Sequence, residues 1–405
     1  MTKLAIDGGT PVFSEPPKSI PPWPPVYPET AVKMSELYLS RQWSFYGPLE
    51  VLFNERFAEY TGAKQSIMMC NGTVTLECAL RAFRIGRGDE VIVPAHTWLA
   101  TGTSIVSCGA TPVVVDIEPD TLCMDPAAFE AAITPKTKAV IPVHLFGSMA
   151  DMDKIMPIAR KHGLHVIEDC AHAHGGFWDG KHVGTIGDIG SFSFQQSKLL
   201  ACGEGGACIT NDLEIGDLLG RLSHIGYARG AKQGESGTPP PMGLICENYR
   251  VTDFQALILL SQLEHLPKDT KKREEGAEFL RQRLNALPGL RVQARGRRAT
   301  AQSYYVYCIM VDPAQLKDGI GRTEVINALH AEGLADIGES WGAPMYKQRL
   351  WTVPEDLYRI ESNQNAEDIV FNQLMVSSLT WLMANRCDLE KYCAAFEKVM
   401  KAYSR

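Results

Sequence analysis

Between residues 50 and 210, short apolar strands alternate with helical stretches, and this alternation restricts the chain more than any other feature. Glu90–Val93, Thr111–Asp116, Ala139–His144, His165–Asp169, Ser191–Phe194 and Ala207–Thr210 read as strands. Val51–Tyr60, Thr73–Phe83, Thr97–Cys108, Pro126–Ile133 and Asp151–His162 read as the helices among them. Continuous Val/Ile runs have no polar face to offer water. They are expected in a mostly parallel sheet covered on both faces, the α/β class. Ligands in such folds bind beyond the carboxyl ends of the strands, where Asp169 is expected.

The flanks differ in character. Residues 11–28 hold eight of the chain's 24 prolines, which predicts an extended arm. Such an arm can wrap a partner subunit, cover a site, or simply trail on the surface. An apolar helix is expected over Thr252–Leu266 and a separate charged helix over Asp269–Leu287, with a loop at Gly234–Gly243. An aromatic strand at Ser303–Val311, a helix at Thr323–Glu332 and a terminal amphipathic helix at Asp388–Tyr403 suggest a smaller α+β unit. The expected organisation is an arm over 1–29, a large domain over 30–265 and a small domain over 266–405.

Charge and composition exclude several classes. The net charge is −7, and the basic runs Lys271-Lys272-Arg273 and Arg295-Gly296-Arg297-Arg298 are short, so no nucleic-acid partner is expected. No apolar run reaches the length of a membrane span, and the polar start of the chain does not read as a signal peptide. The 11 cysteines contain no CxxC pair, which predicts a cytoplasmic protein with free thiols.

Lys198 ends the segment Ser191-Phe192-Ser193-Phe194-Gln195-Gln196-Ser197-Lys198, just before Gly203-Glu204-Gly205-Gly206. An amine serves as a nucleophile only when it is held in place and partly deprotonated. Upstream, Glu168-Asp169-Cys170-Ala171-His172 puts an acid at a strand end, a natural partner for a pyridinium nitrogen. Acid and lysine in this order are the minimal kit of a pyridoxal 5′-phosphate (PLP) enzyme. Asn71-Gly72-Thr73 before a helix is either a phosphate cradle or a capped turn. Trp98 could stack on a cofactor ring or pack in the core. His172 and His174 lie near Asp169 without metal-ligand spacing, so no metal is expected. A hydrogen bond from His172 to a cofactor oxygen suits the pattern better. Ser193 could touch phosphate, and the glycines of 203–206 do not form a dinucleotide fingerprint.

Taken together, Asn71-Gly72-Thr73, Pro94 to Trp98, Pro142-Val143-His144-Leu145-Phe146-Gly147, Glu168 to His172 and Ser191 to Gly206 resemble the DegT/DnrJ/StrS family. The resemblance runs from about residue 30 to 265 and more weakly to the end. It implies the aspartate aminotransferase fold (type I) and PLP-dependent transamination, with the cofactor passing through pyridoxamine 5′-phosphate. It also implies Lys198 as the Schiff-base lysine, Asp169 at the pyridine nitrogen, His172 near the phenolic oxygen and Trp98 on the ring. Gly72, Thr73 and Ser193 then match phosphate contacts. Asn248 matches an asparagine given to the neighbouring subunit's phosphate, so a homodimer is implied. Glu247 stands where the family usually has glycine, and the segment Trp341 to Tyr346 lacks a usual histidine.

Phe194 to Lys198 with Gly203 to Gly206 is similar to glutamine-dependent aminotransferases of scyllo-inosose and 2-deoxy-scyllo-inosose, of aminocyclitol and aminoglycoside pathways. It is also close to 3-amino-5-hydroxybenzoate synthases. The expected reaction is transamination of an unphosphorylated cyclic ketone, with L-glutamine as the expected donor. Alternatives are a nucleotide-keto-sugar aminotransferase using L-glutamate and a PLP-dependent dehydratase. Candidate substrate contacts are Trp23, Tyr27, Trp43, Tyr46, His144 and Tyr346.

Overall fold

Eight strands form one sheet, numbered in chain order: β1 (Gln65–Met69), β2 (Glu90–Pro94), β3 (Thr111–Val115), β4 (Thr137–Val140), β5 (His165–Asp169), β6 (Ile189–Ser193), β7 (Gly206–Thr210) and β8 (Arg359–Ile360). Their order across the sheet is β1-β7-β6-β5-β4-β2-β3-β8. Only β7 runs antiparallel to its neighbours; the other pairs are parallel. This computed structural model describes residues 3–232, 234–235 and 237–405. Met1 and Thr2 of the expected arm and Ser236 of the expected loop lie outside the described residues.

Neighbouring residues on a strand point to opposite faces, and here both faces are apolar cores. Ile67, Met69 and Cys208 enter one core with the helices Gly72–Ala82 and Leu99–Ser107. Met68, Ala207 and Ile209 enter a second with Phe53, Phe57 and Leu259. That double burial is why the strands carry no alternation of polar residues.

The helices expected over 252–266 and 269–287 are one helix, Asp253–Leu284, of 32 residues with Pro267 inside. An interior proline costs a helix ~3 kcal/mol. Packing on both sides offsets that cost. Leu259, Leu263 and Leu266 are buried in the large core, and Ala277, Leu280 and Leu284 in the small-domain core. Each well-buried leucine contributes about 1.5–3 kcal/mol. The helix crosses the expected 265/266 boundary and serves both units.

Beyond it, Leu290–Val292, Val306–Val311 and Leu374–Ser378 form a three-stranded antiparallel sheet, covered by the helices Arg322–Ala331 and Arg386–Tyr403. The aromatic strand starts at Val306 rather than Ser303. Tyr304 takes a left-handed φ of 51°, which turns the chain away from the ladder. The proline-rich arm is anchored on this same small core. Leu4 and Phe13 are buried, and Phe13 meets Trp381 edge-on at 5.5 Å.

Candidate active site

A cavity of about 590 Å³ opens at the carboxyl ends of β5 and β6. It gathers Gly72, Thr73, Trp98, Asp169, His172, Ser193 and Lys198, seven of the eight residues singled out from the sequence. The eighth, Asn248, is exposed and does not line it. Asn248 instead forms an isolated antiparallel bridge with His224.

Asp169 is the last residue of β5, and its side chain is 6% exposed. Oδ1 accepts from Ala171 N at 3.1 Å, and Oδ2 accepts from the Thr101 hydroxyl at 2.9 Å. Burial raises its carboxyl above the usual range, against the opposing pull of these donors and Lys198. A cationic ring nitrogen in the cavity would supply the charge that this carboxylate lacks. Lys198 lies in the turn after β6, with its backbone N–H bonded to Gln195 O at 2.8 Å. Burial pushes its amine down to about 8, while Asp169 opposes the shift. A lysine so placed is a base near neutral pH.

His172 is buried and neutral. Its Nδ1 accepts from Phe146 N at 3.3 Å, so in the neutral ring Nε2 carries the proton. Burial, then Lys198, hold its pKa well below the ordinary histidine range. Its ring stacks against Tyr305 at 4.2 Å.

The helix Gly72–Ala82 points its first amides at the cavity, with Asn71 Oδ1 capping Val74 N at 2.9 Å. The orphan N–H groups of a helix start bind anions. A Cβ at Gly72 would lie 2.6 Å from Ser193 Cβ, so only glycine lets this helix start and β6 meet. Thr73 and Ser193 add hydroxyls beside it. These residues fit a phosphate.

Trp98 is 44% exposed, so it is not a core residue. It immediately precedes the helix Leu99–Ser107, which starts two residues later than the sequence suggests, and its ring tilts towards Trp341 at 5.7 Å. Trp341 reaches the cavity because its segment is fastened to the end of β2. Met345 N donates to Ala95 O at 2.8 Å, and Gln348 Nε2 donates to Thr97 O at 3.3 Å.

None of the six candidate substrate contacts lines the cavity. His144 is fully buried; its Nδ1 accepts from Ala150 N, and its Nε2 donates to Glu168 Oε2 at 3.0 Å. Glu168 also accepts from Gly184, Ile186 and Gly187 amides, which fixes the strand beneath Asp169. With its oxygens so engaged, the cluster His144–Glu168–Cys170 is a structural network rather than an open ligand set. Tyr346 donates to Glu367 at 2.6 Å. Tyr27 stacks on His265, Trp43 donates to Tyr38 O and Tyr46 stacks on His224. Trp23 donates to the main-chain oxygen of Lys198 and packs beside Leu199, Leu379 and Met383. Sequence reasoning missed Thr101, Gln195, Tyr305 and Trp341. Thr101 had a local signal, one helical turn beyond Thr97; Tyr305 and Trp341 come from distant segments.

The model of the DegT/DnrJ/EryC1/StrS aminotransferase family matches residues 28–383. An L-glutamine:2-deoxy-scyllo-inosose aminotransferase of Streptoalloteichus tenebrarius is 40% identical, over 86% of this chain and 83% of that protein. The enzyme of the same name from Streptomyces fradiae is 35% identical over 99% and 98%. Among solved structures, 3-amino-5-hydroxybenzoic acid synthase superposes with a TM-score of 0.84 at 29% identity, covering 95% of this chain and 99% of that one. An aminotransferase from Psychrobacter cryohalolentis gives 0.85 at 30%, with the same coverage. The chain belongs to the DegT/DnrJ/EryC1/StrS family and is an aminotransferase.

Proposed function

We propose that this enzyme moves an amino group from L-glutamine to an unphosphorylated cyclic ketone of the scyllo-inosose class, with PLP held in the cavity around Lys198. Such a reaction belongs to aminocyclitol or aminoglycoside biosynthesis. The observation that carries the reading is the cavity's make-up. Lys198 and Asp169 face an anion cradle, and the only charged side chains on the lining are Asp169, Lys198 and Glu204. Among the described residues, no arginine lines it to grip a nucleotide diphosphate. The glutamine and inosose relatives support the same substrate class.

When bound, PLP accepts the amino group and draws electrons from the carbon that carried it. The chain's residues do the rest. Lys198 takes the proton from that carbon as a base and returns one as an acid. Asp169 keeps the pyridine nitrogen protonated. His172, with its proton on Nε2, offers a donor to the phenolic oxygen. Trp98 covers the ring, and Gly72, Thr73 and Ser193 take the phosphate. Asn248, exposed beside His224, serves the cavity of a second copy, so the working unit is a homodimer with shared sites.

We read the chain as an arm (1–29), a large domain (30–265) and a small domain (266–405), with the helix Asp253–Leu284 as their common spine. No described helix is long and apolar enough to cross a membrane, and we place the enzyme in the cytoplasm.

The test is a product assay with two reaction mixtures: L-glutamine with scyllo-inosose, and L-glutamate with a nucleotide keto sugar. An aminated cyclitol from the first supports the proposal. An aminated sugar nucleotide from the second alone overturns it, as does a dehydrated, aromatised product.

A further inference from the structure

Lys198 Nζ lies 4.5 Å from the centroid of the Tyr305 ring, over its face. The Tyr305 ring also stacks on His172, whose ring stacks in turn on Phe146 at 5.7 Å and 9°. Three parallel rings therefore end at the lysine amine.

The hydroxyl of Tyr305 is committed elsewhere. Ser197 N and Ser197 Oγ both donate to Gln195 Oε1, at 2.8 and 2.7 Å. A hydroxyl that has given its proton away can only accept, so the 2.7 Å bond between Ser197 and Tyr305 runs from the tyrosine to the serine. Burial raises the Tyr305 hydroxyl above the ordinary range, which keeps that proton on. Tyr305 thus meets Lys198 with its ring face and not with an acidic O–H.

The ring is also held rigidly. Tyr305 N donates to Phe146 O at 2.9 Å. Ser303 O accepts from Arg273 Nε at 2.8 Å, and Ser303 Oγ donates to His172 O at 3.1 Å. A Cβ on Gly147 would come within 2.4 Å of Tyr304 N, so the Phe146-Gly147 turn closes on this segment without room to spare. A segment of the small domain is in this way fastened to the floor of the cavity.

We propose that the Tyr305 ring face is the docking surface for the Lys198 amine whenever that amine is not bonded to the cofactor, which makes Tyr305 a positioning residue. An aromatic face attracts an ammonium through its quadrupole, and more so away from water. The lysine would then return to the same place after each proton it moves. The inference gives the proposed role of Lys198 its geometry and rests on that reading only for its catalytic meaning.

The experiment measures Lys198 acylation by acetic anhydride against pH, read by peptide mass spectrometry, in the full-length chain freed of cofactor. Tyr305→Phe and Tyr305→Trp keep a ring face; Tyr305→Leu removes it. We expect the Phe variant to match the wild type and the Trp variant to sit at or above it. The Leu midpoint should fall by about half a pH unit, giving roughly threefold faster acylation near neutral pH. A Leu midpoint equal to or above the wild type would overturn the proposal. If the Leu variant does not fold, a Trp midpoint below that of Phe overturns it instead. The readout needs no turnover, so an unchanged series in an active transaminase sinks the Tyr305 assignment alone. An expected series in a chain that fails the product assay sinks the functional reading alone.

Discussion

The indole Nε1 of Trp23 donates to the main-chain oxygen of Lys198 at 3.2 Å. The arm is therefore joined to the turn that carries the reactive amine, where Trp23 also packs on Leu199, while Leu4 and Phe13 enter the small-domain core. Trp23→Phe keeps the bulk and removes the donor. We expect turnover to fall a few-fold and stability by about 0.5–1.5 kcal/mol, the usual worth of one such bond. Steady-state kinetics and urea denaturation would check both.

Lys198→Arg keeps the positive charge but cannot exchange a carbon-bound proton at neutral pH. Turnover should fall ~1000-fold, the scale of general acid–base catalysis. A variant that retained wild-type turnover would remove Lys198 from the mechanism.

Asp169→Asn preserves the shape at the end of β5 and removes the charge. We expect turnover to drop by about a hundredfold or more, as when a preorganised charge is lost. The same change should lower the acylation midpoint of Lys198, because the carboxylate supports the ammonium. A raised midpoint would contradict the assignment.

The buried lysine also has a stability signature. Burial lowers its folded-state pKa to about 8, below the ordinary lysine value of 10.5. Between those values the unfolded chain binds the extra proton, so stability due to this group rises with pH across that window. Below about 8 and above about 10.5 its contribution is flat. Cofactor-free wild type should gain stability relative to Lys198→Met from pH 8 to 10.5. A loss over that window would contradict the burial of the amine.

Gly72→Ala places a methyl against Ser193. Overpacking of this kind costs ~1–3 kcal/mol, and it should also weaken cofactor binding. Ser193→Gly in the same chain removes the obstructing Cβ. Urea denaturation should then show stability partly restored in the double variant relative to Gly72→Ala.

Strands β2 to β7 of the central sheet were legible because they are apolar on both faces, as a sheet covered on both sides requires, whereas the edge strands β1 and β8 were not read. Asp169 and Lys198 were legible for a related reason: a charge at the end of an apolar run has few places to go. Pro267 misled because helix propensity is local, whereas the packing that overrides it joins Leu263 to one core and Leu280 to another. Tyr305 and Trp341 were invisible because nothing in their own segments records that Phe146 O and Ala95 O will anchor them. His144 looked like a candidate substrate contact because its partners, Glu168 and Ala150, are set by strand pairing and a turn.

The most direct test of the account is the visible absorbance of the purified protein after supply of PLP, followed as L-glutamine and then L-glutamate are added. The account predicts a visible band that L-glutamine bleaches in the wild type and that is missing in Lys198→Ala. A wild-type band that L-glutamine leaves unchanged, or an identical band in Lys198→Ala, would contradict it.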